Sequence, residues 1–270
     1  MRYIFCWLIL FSSTLIANPL PVNIVSDVLQ PEDADKLDMG FRILLNLTNQ
    51  LEAKGRISAK LIPASRLREW RELISQPDVC LYNKVKTPER ERFAKFTAKP
   101  IVAFPPNRFV VHKTTTLPSN VSLAQILKDN SLRIGAVSGR AYSKHIDALF
   151  KAHNGQIVWI SGKDAAKRLR LMFAKGKFDA VIEYSATFIS EPGIDVNQLS
   201  FHKLDEAGDV VFGYIACANS ELGKAVIEMY NKLLSKQSNQ KMIVESHYVE
   251  FFGQEAYFLQ EAIAQKLKEP

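Results

Sequence analysis

The sequence predicts an α/β protein with two lobes, in which the second lobe is inserted into the first and a hinged cleft lies between them. Two series of alternating strand and helix patterns support this prediction, because such alternation is typical of parallel sheets. The Pro105-Pro106 pair separates the two series, and a strand-like stretch at 209–219 follows the second. We therefore expect residues 18–110 and 208–270 to form lobe 1 and residues 111–207 to form lobe 2.

The first series contains three strands and two helices. Apolar residues recur at helical spacing from Phe41, and Gly55 is a natural end for that helix. Ser65 is a suitable N-cap for the next one. In chain order, the predicted elements are a strand at 22–28, a helix at 41–55, a strand at 56–63, a helix at 66–75 and a strand at 78–82.

The second series repeats this alternation beyond the proline pair. Two extended crossings, near Arg108–His112 and Val210–Ala216, are expected to join the lobes. The predicted elements between them are a helix at 122–129, a strand at 132–137, a helix at 141–155, a strand at 156–160, a helix at 163–176, a strand at 178–184 and a last stretch near 199–204. The tail from Glu221 to Lys268 is mostly helical in pattern.

Composition indicates an ordinary globular protein, with 47% hydrophobic and 23% charged residues. No internal stretch is long and apolar enough to cross a bilayer. The densest basic run, residues 163–177, has a helical period, so we interpret it as a solvated helix face and expect no nucleic-acid partner. The histidines have no metal-ligand spacing and no phosphate-loop or hydrolase motif occurs, so we expect neither a metal nor a cofactor.

Residues 1–17 have the pattern of a cleaved secretory signal, with a basic start and an apolar run that ends at Ala17. An uncleaved membrane anchor is the alternative, but the run is short for one. Loss of Arg2 lowers the formal net charge from +7 to +6. We expect an exported protein of the periplasm of a Gram-negative cell.

The cysteines of the remaining chain, Cys80 and Cys217, both lie in apolar, strand-like stretches. An exported protein can pair them in a disulfide, yet cysteine is also commonly buried as a plain thiol. We favour two buried thiols, and the disulfide stays the alternative.

A candidate ligand site follows the third strand. The strand at 78–82 leads into a polar and basic run, and Pro88 is suited to the first position of a helix. Ligand sites in α/β proteins commonly lie where a strand ends and a helix begins. The cleft between two hinged lobes is the default place for a ligand.

Several motifs resemble those of the extracellular solute-binding proteins of family 3, the periplasmic receptors of polar amino acid ABC importers. The most specific is Thr87-Pro88-Glu89-Arg90 at a fixed distance after Asp78. Gly40-Phe41, Gly135–Gly139 and Gly176–Val181 match weaker parts of the pattern. The resemblance covers nearly the whole mature chain and implies the two-lobed periplasmic-binding-protein fold of type II. It also implies that the strands carrying the two cysteines lie side by side.

In that family the motif arginine binds the ligand carboxylate, and the resemblance assigns this role to Arg90. Arginine suits this role because its rigid fork matches a carboxylate. A surface arginine paired with Glu89 or Glu91 is the alternative. The further candidates on the first-lobe side of the cleft are Thr87, the loop Asn83, Lys84 and Val85, and Arg66 at a helix start. Those on the second-lobe side are Tyr184 and the run Ser138, Gly139 and Arg140, which lies at a helix start, a place that attracts anions. For this run a plain glycine turn is the alternative.

Two departures from the family pattern bear on the ligand. Tyr184 stands where the family often has an aspartate for the ligand ammonium, and Leu44 stands where the first helix usually has an acid. Glu183 is adjacent, but strand alternation would turn it to the other face. A small anion, or a carboxylate without a free ammonium, therefore fits better than a standard α-amino acid.

The resemblance implies a monomeric solute-binding protein that captures a small polar, carboxylate-bearing ligand for an ABC permease, without catalysis. An orphan receptor for a membrane sensor is one alternative. A dehydratase-like enzyme of the same fold is another, and it would need an acid–base pair in the cleft, for which Glu183 and His112 are candidates.

Overall fold

The structure is a computed structural model that describes residues 18–27, 38–189, 191–251 and 253–269. The predicted signal segment, residues 1–17, lies outside these residues. Within the described chain, no helix is long and apolar enough to cross a membrane.

The first sheet has the order β2-β1-β3-β12-β4, and β5 also pairs with β12. Strands β1, β2 and β3 are parallel, whereas β12 runs antiparallel to its neighbours β3, β4 and β5. The strands are β1 (Leu20–Ser26), β2 (Ile57–Pro63), β3 (Val79–Val85), β4 (Ala94–Phe96), β5 (Val102–Phe104) and β12 (Val211–Ala218). Helices α1 (Met39–Glu52) and α2 (Arg66–Ser75) connect the first three.

The second sheet has the order β7-β11-β6-β10-β8-β9. Its strands are β6 (Arg108–His112), β7 (Asn120–Val121), β8 (Ile134–Val137), β9 (Ile157–Ile160), β10 (Ala180–Glu183) and β11 (Leu199–Leu204). Its helices are α3 (Leu123–Asp129), α4 (Lys144–Ala152), α5 (Ala165–Ala174) and α6 (Ser185–Ile189).

The tail is helical, as predicted, and it packs on the first sheet. It forms α7 (Glu221–Leu234), α8 (Gln237–Glu250) and α9 (Gly253–Lys268). One apolar core contains residues of all three helices together with residues of β1 and α1, so the tail completes the first lobe.

The second lobe is inserted into the first, because all strands of the second sheet lie between β5 and β12 in the chain. The predicted crossings need correction. The strand Arg108–His112 pairs with β10 and β11 and so belongs to the second sheet. The predicted boundary after residue 110 therefore falls inside a strand. Likewise, Val211–Ala218 is a strand of the first sheet, and the chain passes between the sheets at 105–107 and 205–210.

The segment after Tyr82 also differs from its prediction. Residues 83–85, expected in a loop, continue β3. Asn83 has a φ of +51°, and the register between β3 and β12 shifts at this point, which is a β-bulge. No α-helix follows Pro88. Only a single 3-10 turn, Arg90–Arg92, precedes β4, because the chain re-enters the same sheet at Ala94.

Cys80 and Cys217 form a disulfide, so the preference for two thiols was wrong. The expectation that their strands are neighbours is confirmed, since the two residues are directly paired across β3 and β12. Their Cα atoms are 4.0 Å apart, close enough to be bridged.

His247 gives the first lobe a pH-dependent contact. Its Nε2 accepts the N–H of Ala103 at 2.8 Å, and its Nδ1 lies 2.7 Å from the carbonyl of Ile243, which assigns the neutral ring with its proton on Nδ1. Burial lowers the pKa of His247 below its ordinary value of 6.5, although the bond to Ile243 acts in the opposite direction.

We expect the free energy of unfolding to fall as the pH drops below about 6.5, because the unfolded chain then binds a proton that the folded histidine resists. Denaturant unfolding at pH 7.5 and 5.5 would measure this. His247→Gln removes the titrating ring and should show a smaller decline with pH. An equal decline in both proteins would assign the pH dependence to other groups.

Candidate functional site

A cavity of about 300 Å³, hereafter the central cavity, lies between the two lobes. It is lined by residues from α2, β3 and β5 of the first lobe and from α5, α6 and the chain after β8 and β10 of the second. Eight of the ten predicted site residues line it: Arg66, Asn83, Lys84, Val85, Arg90, Gly139, Arg140 and Tyr184. These eight residues thus surround one cavity between the lobes, and their role in binding a ligand stays a prediction.

Thr87 and Ser138 do not line the central cavity. Thr87 supports the turn that carries Arg90, because its hydroxyl accepts the N–H of Arg90 at 3.3 Å. It lines a neighbouring groove of about 350 Å³, hereafter the outer groove, which shares Arg90 and Gly139 with the central cavity. The N–H of Ser138 donates to the carbonyl of Ile160 at 2.9 Å.

The guanidinium of Arg90 bridges the two lobes. Nη1 donates to the carbonyl of Val85 at 2.9 Å, and Nη2 donates to the carbonyl of Gly139 at 3.0 Å. The ring of Trp70 stacks against the guanidinium, with its centre 4.4 Å from Cζ. These contacts hold the fork in place while they use only two of its five N–H groups.

Arg90 is a cation without a carboxylate partner among the residues that the structure describes. Neither Glu89 nor Glu91 pairs with it, and no carboxylate of the described residues lies within ion-pair distance, so the surface-pair alternative is not what forms here. Burial lowers the pKa of Arg90 to about 10, an effect that the more distant Asp147 partly offsets. The side chain is still charged at neutral pH, and an anion at this place would be favourable.

The other two first-lobe cations that line the central cavity, Arg66 and Lys84, have carboxylate partners. Nε of Arg66 lies 2.7 Å from Oδ2 of Asp27, and Nζ of Lys84 lies 2.5 Å from Oε2 of Glu69. Burial alone would raise the pKa of Asp27, but Arg66 and Lys84 hold it below its usual range. Burial raises the pKa of Glu69, and Lys84 opposes that effect. Arg66 lines the central cavity, yet its charge is already balanced by Asp27.

The second-lobe side of the cavity is also an internal ion-pair network. Nη1 of Arg140 lies 2.7 Å from Oε1 of Glu183, and its Nη2 donates to Oδ1 of Asn107. Arg170 pairs with Glu191 at 2.5 Å and lies 3.6 Å from Oε2 of Glu183. Burial alone would lower the pKa of Arg140, but Glu183, Tyr142 and Tyr184 together raise it above its ordinary value. Arg140 is therefore compensated by its own lobe.

Glu183 lines the cavity, contrary to the alternation argument. β10 ends at Glu183, so Tyr184 lies past the strand and alternation no longer separates the two side chains. Glu183 is 1% exposed, and its Oε1 also accepts the N–H of Tyr184 at 3.0 Å. Its Oε2 has no hydrogen-bond partner among the described residues. Burial would raise the pKa of Glu183, but Arg140 and Arg170 lower it, so it carries charge at neutral pH.

The prediction that Ser138, Gly139 and Arg140 stand at a helix start was wrong. They form a turn in which Gly139 has a φ of +79°, and α4 begins only at Lys144. The N–H groups of Ser138 and Arg140 already donate to backbone carbonyls. The contribution of this turn to the cavity is the carbonyl of Gly139 rather than a set of free donors.

Two aromatic rings that line the cavity, those of Phe104 and Tyr184, contact each other across the cleft. Tyr184 stacks on Phe104 of the first lobe, with ring centres 5.1 Å apart and planes 12° from parallel. The guanidinium of Arg140 also lies over the ring of Tyr184, with Cζ 4.8 Å from the ring centre. Tyr184 therefore takes part in a contact between the lobes.

Eight lining residues were not predicted from the sequence: Asp38, Trp70, Phe104, Ala141, Ala166, Arg170, Thr187 and Val211. Glu183 was predicted in the cleft only as part of the acid–base pair of an enzyme. Arg170 illustrates the reason. It belongs to the basic run that we interpreted as a solvated face, yet its side chain is only 13% exposed. The i, i+4 spacing of Ala166 and Arg170 was the available signal, since it places both on one helix face.

The acid–base pair considered for an enzyme is not assembled. Glu183 lines the cavity, but Nε2 of His112 lies 3.0 Å from the carbonyl of Phe173, and the His112 ring stacks on the ring of that residue. Among the residues that the structure describes, no group of His, Cys, Asp or Glu is arranged to hold a metal ion.

No protein-family model matches the sequence, and no curated protein matches it either. Solved structures do match. One, reported for glutathione import and the cystine ABC importer of Streptococcus mutans, has a TM-score of 0.65 at 17% identity over 86% of this chain and 95% of that chain. An ancestral arginine-binding protein bound to arginine has a TM-score of 0.64 at 16% identity, covering 88% of this chain and 100% of that chain.

An amino acid ABC transporter substrate-binding protein from Streptococcus pneumoniae, bound to L-arginine, also matches. Its TM-score is 0.58 at 17% identity, over 94% of this chain and 97% of that chain. Identities this low establish the fold rather than the ligand. The chain has the two-lobed α/β fold of the substrate-binding proteins of amino acid ABC importers.

Proposed function

We propose that this protein is an exported solute-binding protein that captures a small polar, carboxylate-bearing ligand for an ABC importer. The observation that carries the proposal is Arg90. It is a partly buried cation between the lobes, it has no carboxylate partner among the described residues, and its bonds to Val85 and Gly139 leave three of its N–H groups unused. A ligand carboxylate would supply the missing charge in a charge-assisted, fork-like contact.

A carboxylate oxygen of Glu183 that lacks a hydrogen bond also supports a polar ligand. Oε2 of Glu183 is buried and has no hydrogen bond among the described residues, since Nη1 of Arg170 lies 3.6 Å away. A buried acceptor that lacks a hydrogen bond is costly. An N–H or O–H group of the ligand would satisfy it. A ligand with a carboxylate at Arg90 and a hydrogen-bond donor at Glu183 would therefore balance the charge of Arg90 and give Oε2 of Glu183 a hydrogen bond.

The ligand can be identified by mass spectrometry of small molecules released from gently purified protein. With that ligand, calorimetry on Arg90→Ala should show affinity about 30-fold weaker or worse. Removing one partner of a desolvated ion pair costs roughly 2–5 kcal/mol, and about 1.4 kcal/mol is tenfold. Arg90→Lys should recover only part of the loss, because an ammonium lacks the fork.

Arg92→Ala is the matched control for Arg90. Arg92 belongs to the same 3-10 turn, but it is exposed and lines neither the central cavity nor the outer groove. Its variant should bind like the wild type. Equal affinity of Arg90→Ala and the wild type would refute the proposed role of Arg90 as the carboxylate anchor.

Export to the periplasm of a Gram-negative cell, action as a monomer and delivery to a permease or a membrane sensor belong to the same proposal. Their basis is the signal-like pattern of residues 1–17 and the fold. We expect the secreted protein to begin near Asn18, which N-terminal sequencing of a periplasmic extract would check. A mature protein that still begins at Met1 would contradict export by cleavage.

A further inference from the structure

We infer that Arg90, Leu67 and Gly139 form a clasp that holds the two lobes closed through direct protein contacts. The inference deepens the proposed function, on which its relevance to ligand capture rests. It assigns Arg90 a second task and gives Gly139 a role that depends on its lack of a side chain.

The first contact of the clasp is polar. Arg90 and its partner Val85 belong to the first lobe, whereas Gly139 follows β8 of the second, so the 3.0 Å bond from Nη2 to the Gly139 carbonyl spans the cleft. Trp70, stacked 4.4 Å from Cζ of Arg90, fixes the guanidinium from the first-lobe side. A fork held on two sides is pre-oriented for the third partner, the carbonyl of the opposite lobe.

The second contact is steric. A Cβ atom added to Gly139 would lie 3.2 Å from a methyl of Leu67 and 3.6 Å from the backbone of Arg66 and Leu67. The α-carbon of Gly139 therefore packs directly on the start of α2. Its φ of +79° is a conformation that other residues adopt at a cost. A methyl at this position would crowd the end of the Leu67 side chain, whereas its 3.6 Å distance to the backbone is an ordinary van der Waals contact. The contact itself forms only when the lobes are together.

The clasp stands at the boundary between the central cavity and the outer groove, because Arg90 and Gly139 line both. While it is formed, the two spaces are divided at this point. A ligand that enters from the outer groove must break the contacts of Gly139 with Arg90 and Leu67. These contacts can form again only if the ligand fits entirely within the central cavity. The clasp would thus favour small ligands over long ones.

The test is small-angle scattering of the purified mature protein with no ligand added. We expect the wild-type curve to contain a closed population that fits the present structure. Gly139→Ala should increase the radius of gyration, because the added methyl lies 3.2 Å from the Leu67 methyl and crowds it. Arg90→Met, which removes the polar contact and leaves Gly139 unchanged, should shift the curve in the same direction.

Gly193→Ala is the matched control. Gly193 has a similar φ of +85° in the second lobe, but no atom of the described residues lies within 4 Å of an added Cβ. It therefore suffers the same backbone strain without an inter-lobe contact, and its curve should match the wild type. The double variant Leu67→Ala/Gly139→Ala should recover part of the closed population.

Three results would overturn the clasp. They are a wild-type curve with no closed population, wild-type curves for both Gly139→Ala and Arg90→Met, or an equal opening in Gly193→Ala. Circular dichroism of each variant separates opening from unfolding, and Arg90→Met decides the question if Gly139→Ala does not fold. Since no ligand enters these measurements, they can succeed even if the ligand carries no carboxylate.

Discussion

Replacing Lys84 with methionine should lower the free energy of unfolding by about 3–5 kcal/mol, the usual cost of breaking a buried ion pair from one side. The Lys84 and Glu69 side chains are 8% and 0% exposed, and their charged atoms lie 2.5 Å apart. Without Lys84, the Glu69 carboxylate loses its counter-charge in a place that water does not reach. Denaturant unfolding of the wild type and the variant measures the loss.

Lys86→Met is the matched control, two residues further along the chain. The Lys86 and Glu91 side chains are 34% and 48% exposed, and their charged atoms are 3.7 Å apart. Surface pairs of this kind contribute about 0–1 kcal/mol, so this variant should unfold almost like the wild type. If Lys84→Met is no more destabilised than Lys86→Met, the buried pair does not stabilise the fold.

The pH dependence of Lys84→Met gives an independent check. Burial already raises the pKa of Glu69, and loss of Lys84 removes an opposing influence. A carboxyl whose folded pKa is raised costs stability above its unfolded pKa, and that cost shrinks as the pH falls toward it. The difference between the wild type and Lys84→Met should therefore narrow in acid. A double replacement, Lys84→Met with Glu69→Leu, should lose less than the sum of the two single changes.

The architecture was predictable because it depends on patterns that repeat over many residues. Alternating strand and helix periods predicted both sheets, and the late return of β12 predicted the insertion. The failures are local. Arg108–His112 has the pattern of a strand, but which sheet it joins depends on its pairing with β10 and β11, partners distant in the chain.

Most of the site residues predicted from the sequence line the cavity, but their ion-pair partners were not predicted. Lys84 is an example, because the bulge at Asn83 decides which face of the sheet its side chain occupies. Leu81 packs with Leu73 of α2, whereas Tyr82 packs in the core on the opposite face. Strict alternation would place Lys84 with Tyr82, but the extra residue of the bulge turns Lys84 to the α2 face, where it meets Glu69. A one-residue shift of this kind reverses every later side chain and leaves no periodic signal.

The register between β3 and β12 also brings the two cysteines together. Beyond the bulge, Cys80 and Cys217 are direct partners on the central pair of strands, and both side chains are buried. The sequence separation of 137 residues closes a long loop in the unfolded chain. Constraint of the unfolded state stabilises more as the loop grows, and loss of a native disulfide usually costs about 2–5 kcal/mol.

We therefore expect Cys80→Ala/Cys217→Ala to lose about 2–5 kcal/mol in its free energy of unfolding. Unfolding the wild type in excess dithiothreitol should bring its stability close to that of the variant, because both chains then lack the bond. The single variant Cys217→Ala, which also abolishes the bond, should resemble the double variant more than the wild type. Thiol counting on the denatured mature protein supplies the direct readout. No free thiol is expected, whereas two free thiols together with a stability insensitive to reductant would show that the pair is not linked.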